Sequence, residues 1–327
     1  MNIISLCYAA FPGANAVLQN LNRTVGLSRH FVLSNVQPDS LELKFFGEYL
    51  RETHPALVIF GAWAQGYQRL LDALPDATQA AVYWTSSTGQ VDISSEAAQL
   101  ERVLNHPRIR YKFFMHRAFA AALQGRGDCL ELPATIPVAT RPRVRSANAV
   151  PVISLFCSPN EYRRKNILNS ILAVAMQTRP YIFYLSGLSE NPNYRRLLDG
   201  FGIRYRDWGW MTRQYARVLS RVDIGLQVSF AESFNYVAAE HVQRGIPVLV
   251  SRMVPALYNM PRRVERHCVV ENPDDPLEIA SKLKYLLAHP TERQSIGDIA
   301  RRQLLKTNEE NICQAKTLLH QILQTIP

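Results

Sequence analysis

Cysteine is scarce in this 327-residue chain. The five present, Cys7, Cys129, Cys157, Cys268 and Cys313, are isolated, odd in number and free of any C-x-x-C pair. That excludes a disulfide scaffold and the usual zinc spacings, and it points to a reducing, cytoplasmic setting. Cys7, Cys129 and Cys157 lie in or beside apolar strand-like runs, where a thiol behaves as a small hydrophobe. No run of about 18 apolar residues occurs, and mean hydropathy is -0.12, which argues against a transmembrane helix. The start, Met1 to Leu6, has no cationic segment before its apolar run and reads as a first strand, not a signal peptide. No G-x-G-x-x-G follows that strand, against a dinucleotide oxidoreductase, and no G-x-S-x-G forms a hydrolase elbow. Lysine is also sparse, seven residues against thirty arginines.

What is present describes a globular protein. Apolar residues make up 47% and charged residues 20%, enough to build a core without staples, and the length suits about two domains. The net charge of +10 and pI near 9.5 suggest an anionic partner: a nucleotide diphosphate, an anionic lipid surface or nucleic acid. Arginine's planar fork of donors suits phosphate. A GC-rich genome would equally explain the arginine excess over lysine, but not the charge.

Short apolar runs alternate with amphipathic stretches from Ile3 to Leu132, which predicts parallel strands covered by helices. Residues 133–151 break the rhythm with four prolines and three arginines. The alternation resumes at Pro151. The expectation is α/β: two doubly wound domains, 1–140 and 151–308, joined by a linker at 141–150, with a last helix at 309–327 packing back on the first domain. Helices are expected at 16–27, 234–243, 276–288, 291–306 and 309–326. Ligands of such sheets bind at the carboxyl ends of the strands, here also in the cleft between the domains.

The most informative stretch runs from Val228 to Glu240 and is followed by Gly245-Ile246-Pro247-Val248. It reads as strand, loop, helix, glycine stop and buried strand. A helix starting near Phe234 and Asn235 offers free N–H groups to a diphosphate. Glu232 and Glu240, eight residues apart, could accept hydrogen bonds from hydroxyls. This stretch resembles the E-x7-E segment of the GT-B fold glycosyltransferases, particularly the retaining family 4 (group 1) enzymes. It keeps both glutamates, Phe234, Val237 and the glycine-proline turn. It departs at Ser233 and Asn235, where the family has glycine, and at Tyr236. Ser158 to Asn166 is similar to the family's G-R-x-x-x-x-K turn: Lys165 matches the lysine, Asn160 replaces the arginine, and Arg163 or Arg164 stands in. Trp208-Gly209-Trp210-Met211 occupies the place of the turn that touches the nucleotide base.

The resemblance implies two Rossmann-like domains and a metal-independent, retaining transfer from a nucleotide-diphosphate sugar, UDP-sugar favoured, with no bound cofactor. Glu232, Lys165 and Arg164 take the catalytic roles. Glu240, Phe234, Asn235, Ser233, Arg163, Trp210, Met211 and Gly13 take donor binding. No D-x-D metal-chelating pair occurs. In the first domain Ser86, Ser87, Gln90 and His116 follow strands and are acceptor candidates. Arg102, Arg108, Arg110, Lys112, Arg117 and Arg126 lie close in sequence and suit a membrane surface. The acceptor is expected on a glycan or lipid-linked glycan, and the protein to be peripheral on the membrane's inner face. Hydroxylated bases of DNA, or a non-catalytic binding role, are the alternatives.

Overall fold

A computed structural model describes residues 2–86, 94–126, 128–138, 149–157, 164–209 and 214–326, with the backbone alone at 94 and 95. Two compact units are present: Met1–Pro137 with Asn308–Pro327, and Val138–Thr307.

The first unit opens with β1 (Ile3–Tyr8), α1 (Pro12–Leu21), β2 (Arg29–Leu33), α2 (Leu41–Thr53), β3 (Leu57–Gly61), α3 (Tyr67–Ala73), β4 (Gln79–Trp84), α4 (Ser94–Asn105), β5 (Ile109–Phe114), α5 (Arg117–Ala122) and β6 (Asp128–Glu131). Its sheet has the order β2-β1-β3-β4-β5-β6, and every neighbouring pair is parallel. The continuous apolar runs of β1, β3 and β4 follow from burial on both faces. Leu50, Phe60, Tyr67, Trp84 and Phe114 form much of the core.

The second unit contains β7 (Val152–Leu155), α6 (Ile167–Ala175), β8 (Ile182–Leu185), α7 (Pro192–Gly200), β9 (Tyr205–Asp207), α8 (Tyr215–Leu219), β10 (Ile224–Gln227), α9 (Tyr236–Gln243), β11 (Val248–Ser251), α10 (Arg262–Cys268), β12 (Val269–Val270), α11 (Pro276–Ala288) and the start of α12 (Pro290–Gln324). The order β12-β11-β10-β7-β8-β9 is again all parallel. The strand order reverses at β7 and β10, which places the loops after both strands at one edge of the sheet, a switch point of the kind where such sheets bind ligands.

Three expectations need correction. The first helix begins at Pro12, not Ala16, because proline's fixed φ suits a first helical position, and it gives way after Leu21 to a five-residue π-helical segment. The helices expected at 291–306 and 309–326 are one, α12. Asn308, in the gap left between the two expected helices, is buried in the helix, where its amide accepts from Ile136 N at 2.9 Å and donates to Ile136 O at 2.9 Å. The pair α10 and β12 was not foreseen: Arg262–Cys268 is mostly charged and β12 has two residues, too few for a period.

Candidate active site

The site builds from two loops that follow neighbouring strands. After β7 the chain reaches a turn at Arg164 and Lys165, closed by Asn166 in the left-handed region (φ 53°) at the start of α6. After β10 it passes through Glu232 to Asn235. Phe230 N donates to Arg164 O at 2.8 Å, so the two loops are pinned by backbone as well as by charge.

At this junction Lys165 Nζ donates to Glu232 Oε1 at 2.6 Å, and Arg164 Nη1 donates to Glu232 Oε2 at 2.8 Å and to Ala231 O at 3.1 Å. Asn235 Nδ2 donates to Glu232 Oε1 and to Gln227 Oε1, both at 3.2 Å. The Glu232 side chain is 4% exposed, against 11% for Lys165 and 19% for Arg164. Burial pushes the Glu232 carboxyl up, but the Lys165 and Arg164 charges outweigh it and hold the group below the usual carboxylate range. Glu232 is therefore an acceptor of hydrogen bonds and a poor proton donor. Two cations against one carboxylate leave the cluster one net positive charge.

Asn235 is the N-cap of α9, and its Oδ1 accepts from Ala238 N at 3.0 Å. The helix therefore begins at Tyr236, two residues later than expected. Asn235 takes φ 72°. Glycine adopts that conformation freely and asparagine tolerates it, which explains how asparagine stands where the resembling family has glycine. Phe234 is buried: its ring lies 4.9 Å from that of Tyr236 and its carbonyl accepts from Ala256 N at 3.0 Å. Ser233, between Glu232 and Phe234 in the loop, is half-buried.

Glu240 lies farther along α9 in a second cluster with Tyr215 and Arg244. Burial raises its carboxyl, and Tyr215 and Arg244 lower it in part. The next residue, His241, is fully buried; its Nδ1 faces Val237 O at 2.7 Å and its Nε2 faces Ser154 Oγ at 2.8 Å. Since a carbonyl only accepts, Nδ1 carries the proton and Nε2 accepts from the serine.

Arg163, Trp210, Met211, Ser87 and Gln90 lie outside the described residues. The turn before Trp210 is described. Asp207 accepts from Gly187 N at 2.5 Å, Ser189 N at 2.7 Å and Gly209 N at 3.0 Å, so one carboxylate ties the turn after β8 to the turn after β9. Trp208 packs at 5.5 Å against Tyr184 and lies 3.9 Å beneath the Arg206 guanidinium. In the first unit Gly13 sits in the first turn of α1 with open space where a Cβ would project. Ser86 follows β4, and His116 is the half-buried N-cap residue of α5. Three of the six cations of the basic run stand in ion pairs: Arg108 with Asp76 at 3.6 Å, Arg110 with Asp128 at 3.8 Å and Arg117 with Glu131 at 4.0 Å. Among the described residues no group of three or more histidines, cysteines, aspartates or glutamates is placed to hold a metal ion.

Gln227 and Asp207 are not marked as site residues by the sequence pattern. A polar residue ending an apolar strand, as in Ile224-Gly225-Leu226-Gln227, was the available signal for the first.

Residues 164–316 match the sequence model of the glycosyl transferase-like family. The chain carries a glycosyltransferase domain. Arg164, Lys165, Glu232 and Glu240 all fall inside it. No curated protein matches the sequence. Solved structures of similar fold include HepE of Anabaena in complex with UDP-glucose (TM-score 0.75, 13% identity, 99% of each chain). Sucrose-phosphate synthase from Thermosynechococcus elongatus matches with TM-score 0.72 at 14% identity, over 98% of this chain and 99% of the other. A glycosyltransferase from Rickettsia africae matches with TM-score 0.73 at 11% identity, over 99% of this chain and 98% of the other. The glycosyltransferase domain thus sits in a GT-B fold. No helix among the described residues is long and apolar enough to cross a membrane.

Proposed function

We propose that this glycosyltransferase moves a sugar from a nucleotide-diphosphate sugar, UDP-sugar favoured, to a hydroxyl of a glycan or lipid-linked glycan, with retention and without a metal ion. The observation that carries the reading is the buried cluster of Lys165, Arg164 and Asn235 around Glu232, at the loops after β7 and β10. Its net positive charge suits a departing diphosphate, whose developing charge Lys165 and Arg164 offset in a site shielded from water. That is the service a divalent cation would otherwise supply. Glu232, held ionised, accepts hydroxyls of the transferred sugar, and Glu240 accepts those of the ribose. HepE, of similar fold, is solved with UDP-glucose, which supports a UDP-sugar here. The protein's charge of +10 supports an acceptor on or near an anionic surface.

The test is thermal unfolding with a panel of nucleotide diphosphates, followed by sugar transfer from the stabilising donor in the presence of EDTA. Saturation at about 100 times Kd adds about 2.7 kcal/mol, an evident rise in Tm. A rise with UDP that Glu240→Ala diminishes supports the donor site. No rise with any nucleotide would leave a GT-B protein without a donor, and salt-sensitive transfer to duplex DNA in place of glycans would move the acceptor to hydroxylated bases.

A further inference from the structure

Lys112 is 8% exposed, in the interior of β5. Among the described residues it forms no ion pair within 4 Å, and its one hydrogen bond is a long one, Nζ donating to Arg110 O at 3.4 Å. Lysines this buried are almost always paired, because an ammonium withdrawn from water without a counter-charge costs several kcal/mol. The counter-charge has room to arrive. Lys112 lines a cavity of about 430 Å³ together with Arg108 and Arg110, within the size range of small-molecule sites. The cavity lies at the beginnings of β4, β5 and β6, where Gln79, Ile109 and Asp128 are the first residues of their strands. The loops that follow these strands, which carry Ser86 and His116, leave from their opposite ends.

We infer that this cavity is a second ligand site, for a small hydroxylated phosphomonoester such as a sugar phosphate. Its phosphoryl group meets Lys112, Arg108 and Arg110, and its hydroxyls meet the carboxylates of Asp76 and Asp128. Arg108 is pre-set for this: its Nη2 donates to Leu74 O at 2.9 Å, which fixes the guanidinium at the rim. The two aspartates are exposed and pair with the arginines only at 3.6 and 3.8 Å. Exposed pairs of that length are worth little and yield readily to a doubly charged phosphate. Three cations against two carboxylates leave the site one positive charge, centred on the buried lysine. The ligand would bind in the first unit and so is independent of the donor site proposed on the second.

Isothermal titration of the full chain with glucose 6-phosphate, inorganic phosphate and glucose tests this. Glucose 6-phosphate should bind, phosphate more weakly and glucose not at all. Lys112→Met should weaken glucose 6-phosphate at least tenfold, while Arg164→Ala leaves it unchanged. Arg110→Ala, at a half-exposed position, should weaken it too and serves if Lys112→Met does not fold. Unchanged binding in both first-unit variants, or loss in Arg164→Ala, would overturn the site. So would the absence of binding by either phosphate. Vesicles containing phosphatidic acid that bind through Lys112 where glucose 6-phosphate does not would overturn the small-molecule assignment.

Discussion

Lys165 Nζ stands 2.6 Å from Glu232 Oε1, across 67 residues of chain, and the carboxylate it holds is almost wholly buried. The pair is the firmest point of the candidate site, and its two halves have opposite consequences when removed.

Lys165→Ala should destabilise the protein by about 2–3 kcal/mol, below the range for fully breaking a buried pair because Arg164 remains on the other oxygen. Glu232→Gln should behave differently: it frees both cations, so UDP should bind more tightly while transfer collapses. Denaturant unfolding, UDP titration and turnover of the two variants check both statements. Equal losses of UDP binding in the two would remove Lys165 and Arg164 from the diphosphate.

Glu240 carries a carboxyl raised by burial, so its ionised form is disfavoured in the folded state. That contribution to stability is present below the ordinary carboxylate range and is lost as pH rises through the raised value. Glu240→Gln should therefore raise the Tm of the free protein at pH 7 to 8. The same variant should reduce the rise that UDP produces, because an amide accepts hydroxyls less well than a carboxylate. Scanning calorimetry with and without UDP reads both effects.

His241 is buried neutral, its pKa brought down to about 4, chiefly by desolvation. The unfolded chain takes up a proton near pH 6.5 while the native state refuses it until about 4. Stability should thus fall as pH drops through that window, by roughly 3 kcal/mol at its lower end. His241→Leu should flatten this part of the profile, at the cost of leaving the Ser154 hydroxyl unpartnered. Urea midpoints at pH 7 and pH 4.5 for both proteins decide it.

Asn235 combines a left-handed backbone with three side-chain bonds. Asn235→Gly keeps the backbone at ease and loses the bonds; Asn235→Ala loses the bonds and adds strain. Alanine should cost about 1–3 kcal/mol and glycine about 1 kcal/mol less. Equal unfolding midpoints for the two would show that the positive φ carries no penalty here.

Much of the architecture was legible along the chain. Apolar runs such as Leu57-Val58-Ile59-Phe60 announce buried parallel strands, and the stretch from Pro276 to Ala288 carries the period and the proline start of α11. The charged, short or continuous pieces were not legible. The stretch Arg262–Cys268 carries a single apolar i, i+4 pair, Val264 and Cys268, too short a stripe to betray α10. The joining of 291–306 and 309–326 into one helix is seen only with Asn308 buried in it, its amide satisfied by the backbone of Ile136.

The sequence by itself determined the alternation of strand and helix, the two-sheet α/β class and the identity of the charged residues worth weighing. These follow from local periodicity and from residue chemistry, both of which operate over a few neighbours. Tertiary structure decided which charges meet. Arg164 and Lys165 reach Glu232 only because β7 and β10 lie side by side and parallel, so that their following loops emerge at one edge. Lys112, one cation in a basic run along the chain, is set apart only when sheet packing leaves it 8% exposed, against a cavity where its partner would be. Burial and long-range pairing depend on strand order, which no local period encodes.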